Sequence, residues 1–197
     1  MNKQGSLIAV VLALLLLLLG LAFFWQPVPA PLGHTERALP GGDFTVDSAQ
    51  GPVSLHDYAG KLTVLYFGYT YCPDICPTSL NATAEAMQQL TPAELAQLGV
   101  LFVSVDPQRD TPARLAEYVR FFHPQMVGAT ASPATIAEIA SRYGVFYARQ
   151  DVATAGDGYV VDHSAETFLL GRDGRVLERW PHGTSPAAIV DRLRHAF

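Results

Sequence analysis

Apolar and polar positions alternate along the chain in a way that predicts strands interleaved with helices. Two runs, KLTVLYFGY from Lys61 and GVLFVSVD from Gly99, are almost wholly apolar and rich in β-branched and aromatic residues, which is typical of strands buried on both faces. Shorter strands are predicted at Phe44–Val46 and Val53–Leu55 around a Gly51-Pro52 turn, at Val145–Arg149, and at Thr167–Leu170 and Arg175–Trp180 as a hairpin across GRDG.

Helix patterns fill the intervals between these strands. They are predicted at Pro77 to Leu90, Pro112 to Phe122, Ser132-Pro133 to Tyr143, and from Ser185-Pro186 to the C-terminus. Thr111, Ser132 and Ser185 each stand before a proline, which suits an N-cap followed by proline at the first helical position. Strands alternating with helices predict an α/β fold, and the closing hairpin implies a mixed β-sheet flanked by helices.

The N-terminal apolar run differs from the rest of the chain. From Leu7 to Trp25 no residue carries a charge, and a hydrocarbon core needs roughly 20 such residues. The run therefore predicts an uncleaved transmembrane helix at residues 7–25, with a cleaved signal peptide as the alternative. Lys3 precedes the run, and the positive-inside rule then places residues 1–6 in the cytoplasm.

The segment after this run sets the expected domain boundary. Residues 26–39 are rich in proline and glycine and are typical of a tether. Residues 40–197 form the predicted folded domain, on the outer and more oxidising side of the membrane, where disulfides persist.

Composition excludes some classes of function. The 197 residues carry a net charge of −5, and only 16% of them are charged. No basic run or basic helix face is present, so nucleic acid is not an expected partner. Two cysteines are too few for a disulfide-scaffold protein.

The chemistry concentrates in the stretch GYTYCPDICPTSL, which holds Cys72 and Cys76. The pair follows a predicted buried strand and precedes a predicted helix, at a sheet edge where α/β proteins place their sites. Pro77 disfavours helical geometry at Cys76, which predicts that both thiols lie in the turn before the helix. A structural disulfide, a redox couple and a metal site all remain open, and two thiolates favour Cu(I) or Zn(II) as the ion.

A two-sulfur metal site needs a further ligand, and histidine is the usual one. The chain has six: His34, His56, His123, His163, His182 and His195. His163 differs because YVVDHSAETFLLG places it just before the predicted strand Thr167–Leu170, near the sheet end that carries the cysteines.

Two aspartates could support such a site. Asp106 lies in SVDPQRDTP at the end of a predicted strand, although a turn with capping Asp110 and Thr111 also explains that segment. Asp162 precedes His163 and either orients its ring or is a solvated charge.

Together, GYTYCPDICPTSL, SVDPQRDTP and YVVDHSAETFLLG, in this order, resemble the Sco/SenC family of membrane-anchored, thioredoxin-like copper proteins. The resemblance runs from about residue 40 to the C-terminus. It implies a thioredoxin-like fold and one copper ion, Cu(I) or Cu(II), bound by Cys72, Cys76 and His163.

The same resemblance implies a role in maturing the dinuclear copper centre of cytochrome c oxidase. The copper-bearing subunit of that oxidase would be the partner, with another copper chaperone or a thioredoxin-like reductant as further candidates. The location implied is the bacterial inner membrane, with the domain facing the periplasm. Family members are described both as copper donors and as thiol–disulfide reductants, so enzymatic activity stays open. No proline stands in Val161–Ser164, where thioredoxin-like redox enzymes usually carry one, and this favours metal binding.

Overall fold

The structure, a computed structural model, describes residues 12, 14–16, 41–152 and 158–197. The chain divides into two compact units, Met1–Arg37 and Ala38–Phe197. Residues 12 and 14–16 are helical, and within the described part of the chain no helix has the length and apolar character needed to cross a membrane. The remainder of the predicted anchor, residues 1–6 and the tether lie outside the described residues.

Strands and helices alternate through the second unit. In chain order they are β1 Thr45–Ser48, β2 Gly51–Ser54, a 3-10 turn Leu55–Tyr58, β3 Leu62–Gly68, α1 Ile75–Gln88, α2 Pro92–Ala96, β4 Leu98–Ser104, α3 Pro112–Phe122, β5 Met126–Thr130, α4 Pro133–Tyr143, β6 Tyr147–Asp151, β7 Tyr159–His163, β8 Thr167–Leu170, β9 Val176–Trp180 and α5 Pro186–Ala196.

Seven of these strands form one mixed sheet in the order β2-β1-β5-β4-β3-β8-β9. β3, β4 and β5 are parallel, β8 pairs antiparallel with β3, and β9 pairs antiparallel with β8. Every residue of β3 and β4 is buried, because these two strands lie at the centre of the sheet. The predicted α/β class, mixed sheet and central buried strands are therefore confirmed.

The ends of the central strands meet at one edge of the sheet. Gly68 at the end of β3 lies beside Ser104 at the end of β4. Antiparallel β8 begins at this same edge, since Thr167 lies opposite Tyr66. The edge therefore receives the segments after β3 and β4 and the segment before β8.

The predicted starts of three helices are confirmed. The side chains of Thr111, Ser132 and Ser185 each accept a hydrogen bond from the backbone N–H three residues later, and a proline follows each of them. These caps satisfy donors that have no partner inside the helix.

Two local predictions are wrong. Gly51 and Pro52 belong to strand β2 and not to a turn, and proline is tolerated there because β2 lies at the edge of the described sheet, beside β1. Helix α1 begins at Ile75, so Cys76 lies in its first turn and not before it. Pro77 is compatible with that position because the first N–H groups of a helix have no partner within it.

His163 lies shortly before β8, as the sequence predicts, and it also ends a strand that the apolar pattern did not indicate. β7 pairs with β6 in a separate two-stranded sheet, in which His163 lies opposite Tyr147. We call this pair the β6–β7 hairpin; residues 153–157 between its strands lie outside the described residues. The hairpin still brings His163 to the edge of the main sheet where β3 ends.

Candidate metal centre

The two cysteines lie in and just after a tight turn that follows β3. We call Tyr69–Cys72 the cysteine turn; it is closed by the Cys72 N–H, which donates to the Tyr69 carbonyl at 3.3 Å. The N–H of Cys76, in the first turn of α1, donates to Cys72 Sγ at 3.4 Å. Both thiols are free and buried, with Cys76 fully enclosed and Cys72 8% exposed. The helix start therefore holds both sulfurs side by side.

Gly68 makes room for the inner sulfur. A Cβ at this position would lie 2.6 Å from Cys76 Sγ and 3.0 Å from the rings of Phe102 and Tyr66. The hydroxyl of Tyr66 lies 3.9 Å from the same sulfur, within reach of a weak O–H···S hydrogen bond. The last residue of β3 is therefore restricted to glycine by the close approach of the thiol.

The imidazole of His163 completes the group. Its Nε2 lies 3.2 Å from Cys76 Sγ, and its Nδ1 lies 3.2 Å from the carbonyl oxygen of Val161. Because a carbonyl only accepts, Nδ1 carries the proton in the neutral ring and the lone pair of Nε2 faces the sulfurs. Tyr69 packs edge-to-face against this ring, with centroids 5.4 Å apart, and restricts its rotation.

Three candidate ligand atoms therefore converge on one point. The sulfurs of Cys72 and Cys76 and a nitrogen of His163 all lie within 4.8 Å of one another. A metal ion held by thiolates at about 2.3 Å and imidazole at about 2.0 Å keeps its ligand atoms roughly 3.5–4 Å apart. The geometry fits one ion after small movements, and two soft thiolates with an imidazole suit Cu(I) or Zn(II) and not a hard cation.

The two thiols ionise very differently in the metal-free protein. The pKa of Cys72 falls from 9.0 to about 5, mainly because Cys76 donates a side-chain hydrogen bond to it, helped by backbone N–H groups and by His163. Burial and the neighbouring Cys72 charge raise the pKa of Cys76. The pair is therefore one thiolate and one thiol at neutral pH, and binding a metal through both sulfurs releases a proton.

The two predicted supporting aspartates lie in different surroundings. Asp106 is buried, pairs with Arg109 at 2.6 Å, and accepts a hydrogen bond from the Tyr159 hydroxyl at 2.9 Å. It thus contacts the strand that carries His163, and not the ligand atoms themselves. Asp162 is exposed, and no hydrogen bond among the described residues joins its carboxylate to His163.

Sequence reasoning missed several residues that shape this site. Asp110 is not a helix cap; it is fully buried and accepts hydrogen bonds from the N–H and hydroxyl of Thr70 and from the Ser104 hydroxyl. Tyr69 contacts β7 at Val161 and His163, and Arg109 contacts the same strand at Tyr159. A glycine closing an apolar strand was a usable signal for Gly68, whereas the other contacts are too distant in sequence to be read from a pattern.

The fold and the site together define a thioredoxin-like protein with a buried pair of thiols and a histidine at the carboxyl edge of its central strands. Comparison with protein families gives the narrower assignment: residues 33–197 match the SCO1/SenC family. The chain therefore belongs to the SCO1/SenC family, which confirms the resemblance carried by the three motifs.

Relatives of the chain agree with this assignment. The SCO2-like protein of Rickettsia conorii is 35% identical over 205 aligned residues, which cover 99% of this chain and 100% of that protein. The solution structure of apo Sco1 from Thermus thermophilus shares 37% identity with a TM-score of 0.72, over 79% of this chain and 90% of that one. The structure of Bradyrhizobium japonicum ScoI with copper bound shares 34% identity with a TM-score of 0.72, over 80% and 99%. The predicted thioredoxin-like fold is confirmed.

Proposed function

We propose that this protein is a membrane-anchored copper metallochaperone that binds one copper ion through Cys72, Cys76 and His163 and delivers it to the dinuclear copper centre of cytochrome c oxidase. The observation that carries the proposal is the convergence of the two sulfurs and one nitrogen within 4.8 Å. The copper-bound structure of the Bradyrhizobium ScoI relative supports copper as the ion.

Copper is the cargo of this site, and the residues around it favour the reduced ion. Cys76 is fully buried and Cys72 nearly so, and two thiolates with one imidazole suit trigonal Cu(I), with a further weak ligand for Cu(II). When the disulfide of another protein accepts two electrons from the pair, the two sulfurs join in a disulfide, that protein's disulfide is reduced to two thiols, and the ion loses both sulfur ligands. The copper load is thereby coupled to the redox state of the thiols.

The membrane and the partner belong to the same proposal. The uncharged run at residues 7–25 anchors the chain in the bacterial inner membrane, and residues 26–39 tether the domain on the periplasmic side. The copper-bearing subunit of the oxidase receives the ion. Another copper chaperone or a thioredoxin-like reductant supplies the copper or the reduced thiols.

A second candidate function is reduction of the oxidase's own cysteines. The lowered pKa of Cys72 favours it, because a thiolate at neutral pH attacks disulfides. That reaction needs Cys72 and Cys76 but no imidazole. The part played by His163 therefore separates the two functions.

A copper titration tests the proposal. Wild type, Cys72→Ser, Cys76→Ser and His163→Ala are reduced anaerobically and titrated with copper, with His123→Ala as the control because His123 lies in the loop after α3. We expect one copper ion per chain in wild type and control, and weaker binding in the three ligand variants. If His163→Ala keeps the wild-type stoichiometry, affinity and Cu(II) spectrum, the three-ligand site is wrong.

The same variants separate the two functions in a disulfide-reduction assay. For a chaperone that is also a reductase, His163→Ala loses copper but keeps its reductase activity, whereas Cys72→Ser loses both. Reductase activity in wild type without stoichiometric copper binding would replace the chaperone proposal by the reductase.

A further inference from the structure

The third candidate ligand reaches the cysteines from outside the main sheet. β6 and β7 hydrogen-bond to each other in a sheet of their own, so the ladder of the central strands does not fix His163. A cavity of about 150 Å³ lies between the hairpin and the segment after β4, lined by residues of both, such as Tyr147 and Pro107. The position of His163 therefore depends on the side-chain contacts that β7 makes with the rest of the domain.

Arg109 makes contacts with both segments that carry the ligands. On the hairpin, its Nη1 donates to the carbonyl of Tyr159 at 3.0 Å, and its guanidinium carbon lies 3.6 Å from the centre of the Tyr159 ring. On the cysteine turn, the same carbon lies 4.5 Å from the ring centre of Tyr71 and 5.7 Å from that of Tyr69. One side chain thus bridges the two ligand-bearing segments.

Arg109 is itself held firmly to the main sheet. Its Nε donates to Asp106 Oδ2 at 2.6 Å, and the N–H of Asp106 donates to the hydroxyl of Ser104 at the end of β4 at 3.0 Å. The other carboxylate oxygen of Asp106 accepts from the Tyr159 hydroxyl at 2.9 Å. Arg109 is only 10% exposed and Asp106 only 4%. Arg109 and Asp106 together therefore contact the ring, the hydroxyl and the backbone carbonyl of Tyr159.

A direct contact links strand β7 to the cysteine turn. The N–H of Val161 donates to the hydroxyl of Tyr69 at 3.3 Å, and the ring of Tyr69 packs against His163. Strand β7 carries Tyr159, Val161 and His163 as every second residue, on one face. Fixing the position of Tyr159 therefore restricts where the ring of His163 lies relative to the sulfurs.

We propose that Arg109 is a positioning residue, which locks the β6–β7 hairpin onto the cysteine turn and thereby sets the position of His163 Nε2 relative to the two sulfurs. Its effect on copper binding rests on the proposed function, whereas the locking of the hairpin does not. The role needs the planar fork of arginine, because Arg109 reaches Asp106 and the Tyr159 carbonyl with two separate nitrogens while its plane stacks on aromatic rings, whereas a lysine presents one compact, non-planar ammonium.

Two neighbouring arginines provide matched controls. Arg114 stacks on Tyr71 at 4.3 Å and donates to the hydroxyl of Thr70, both on the cysteine turn. Arg149 belongs to β6 and stacks on Tyr159 at 3.8 Å. Among the described contacts, neither of these two side chains joins the hairpin to the cysteine turn.

Hydrogen exchange on the metal-free, full-length chain tests the lock directly. We expect Arg109→Gln to speed exchange of the Val161 amide roughly tenfold, because two charge-assisted hydrogen bonds are lost, while amides of β3 exchange as in wild type. Arg114→Gln should leave the Val161 amide unchanged. Wild-type protection of Val161 in Arg109→Gln would overturn the proposal.

Copper affinity then tests whether Arg109 acts through His163. We expect Arg109→Gln to weaken copper binding about tenfold in the wild-type background, and to have no further effect when combined with His163→Ala. An equal loss in both backgrounds would overturn the positioning role. If wild type binds no copper, the proposed function fails, and the exchange experiment alone decides the lock.

Two further variants guard against a simple folding defect. Asp106→Asn combined with Arg109→Gln removes both charges of the buried pair, and we expect it to reproduce the fast exchange at Val161 in a folded protein. Arg109→Lys retains the charge but not the fork, and we expect it to behave as Arg109→Gln. Full rescue by lysine would overturn the proposal, since it would show that only the charge opposite Asp106 is required.

Discussion

The Nε2 of His163 lies 3.2 Å from the Sγ of Cys76, although 87 residues separate the two along the chain. The sulfur is fixed by the first turn of a helix on the main sheet, whereas the nitrogen belongs to a separate hairpin. The complete set of candidate ligands therefore exists only when the hairpin is in place.

Replacing Gly68 by alanine should displace the inner sulfur. The added methyl group would lie 2.6 Å from Cys76 Sγ, a distance that forces the sulfur or the strand to move. We expect a loss of roughly 1–3 kcal/mol in the free energy of unfolding, measured by denaturant titration, together with weaker copper binding.

Gly99→Ala is the matched control for this variant. Its Cβ would collide with the ring of Tyr58, and Gly99 lies at the opposite end of the paired central strands from Gly68. We expect a comparable loss of stability with unchanged copper affinity. Equal effects of the two variants on copper affinity would show that the thiol does not need the space at Gly68.

Alkylation of the metal-free protein should distinguish the two thiols. The pKa of Cys72 is lowered to about 5 and that of Cys76 is raised, and only the thiolate reacts with iodoacetamide. We therefore expect modification at Cys72 alone, at a rate that is nearly constant from pH 8 to 6 and falls as the pH approaches 5. Mass spectrometry of tryptic peptides measures both rates. A rate at Cys72 that drops about tenfold per pH unit below pH 8 would indicate an ordinary thiol.

Replacing Asp110 should lower the stability of the protein more than replacing Thr111, the N-cap of α3. Asp110→Ala removes the acceptor of three hydrogen bonds and leaves donors of Thr70 and Ser104 buried without a partner. We expect a loss of about 2–4 kcal/mol in the free energy of unfolding and looser packing of the cysteine turn. Thr111→Ala removes one capping hydrogen bond and should cost about 1 kcal/mol. Thermal unfolding followed by circular dichroism compares them, and equal losses would contradict the buried role of Asp110.

The two aspartates predicted from the sequence should respond differently to neutralisation. Asp162 is exposed, so Asp162→Asn should change copper affinity by no more than about twofold. Asp106→Asn leaves Arg109 without its charged partner and should weaken copper binding about tenfold through the hairpin. Competition with a Cu(I) chelator measures both affinities, and the reverse order would mean that Asp162 supports His163 after all.

Local signals in the sequence predicted much of this fold. The Ser/Thr-Pro pairs at Thr111, Ser132 and Ser185 mark helix starts because capping and proline geometry act within a few residues. The strands β3 and β4 were predicted because strands buried on both faces have continuous apolar runs. The short strands β5 and β7 were missed, since MVGAT and YVVDH are too brief for a clear period.

The candidate site was predictable only in part, because several of its contacts join residues that are far apart in the sequence. Two thiols after a buried strand and a histidine near the matching edge can be inferred from strand order. The hydrogen bond of Arg109 to the Tyr159 carbonyl depends on a hairpin that packs across 50 residues of sequence. No local pattern encodes such a contact. From the sequence alone, Asp110 was interpreted as a helix cap, because its hydrogen bonds to Thr70 are also distant in sequence.

X-ray absorption spectroscopy of the Cu(I)-loaded protein gives the most direct test of the three-ligand site. Wild type should show two sulfur scatterers and one nitrogen scatterer around copper. His163→Ala should lose the nitrogen, and Cys76→Ser should lose one of the sulfurs. A copper ion surrounded by sulfur alone in wild type, or a nitrogen that persists in His163→Ala, would contradict the account.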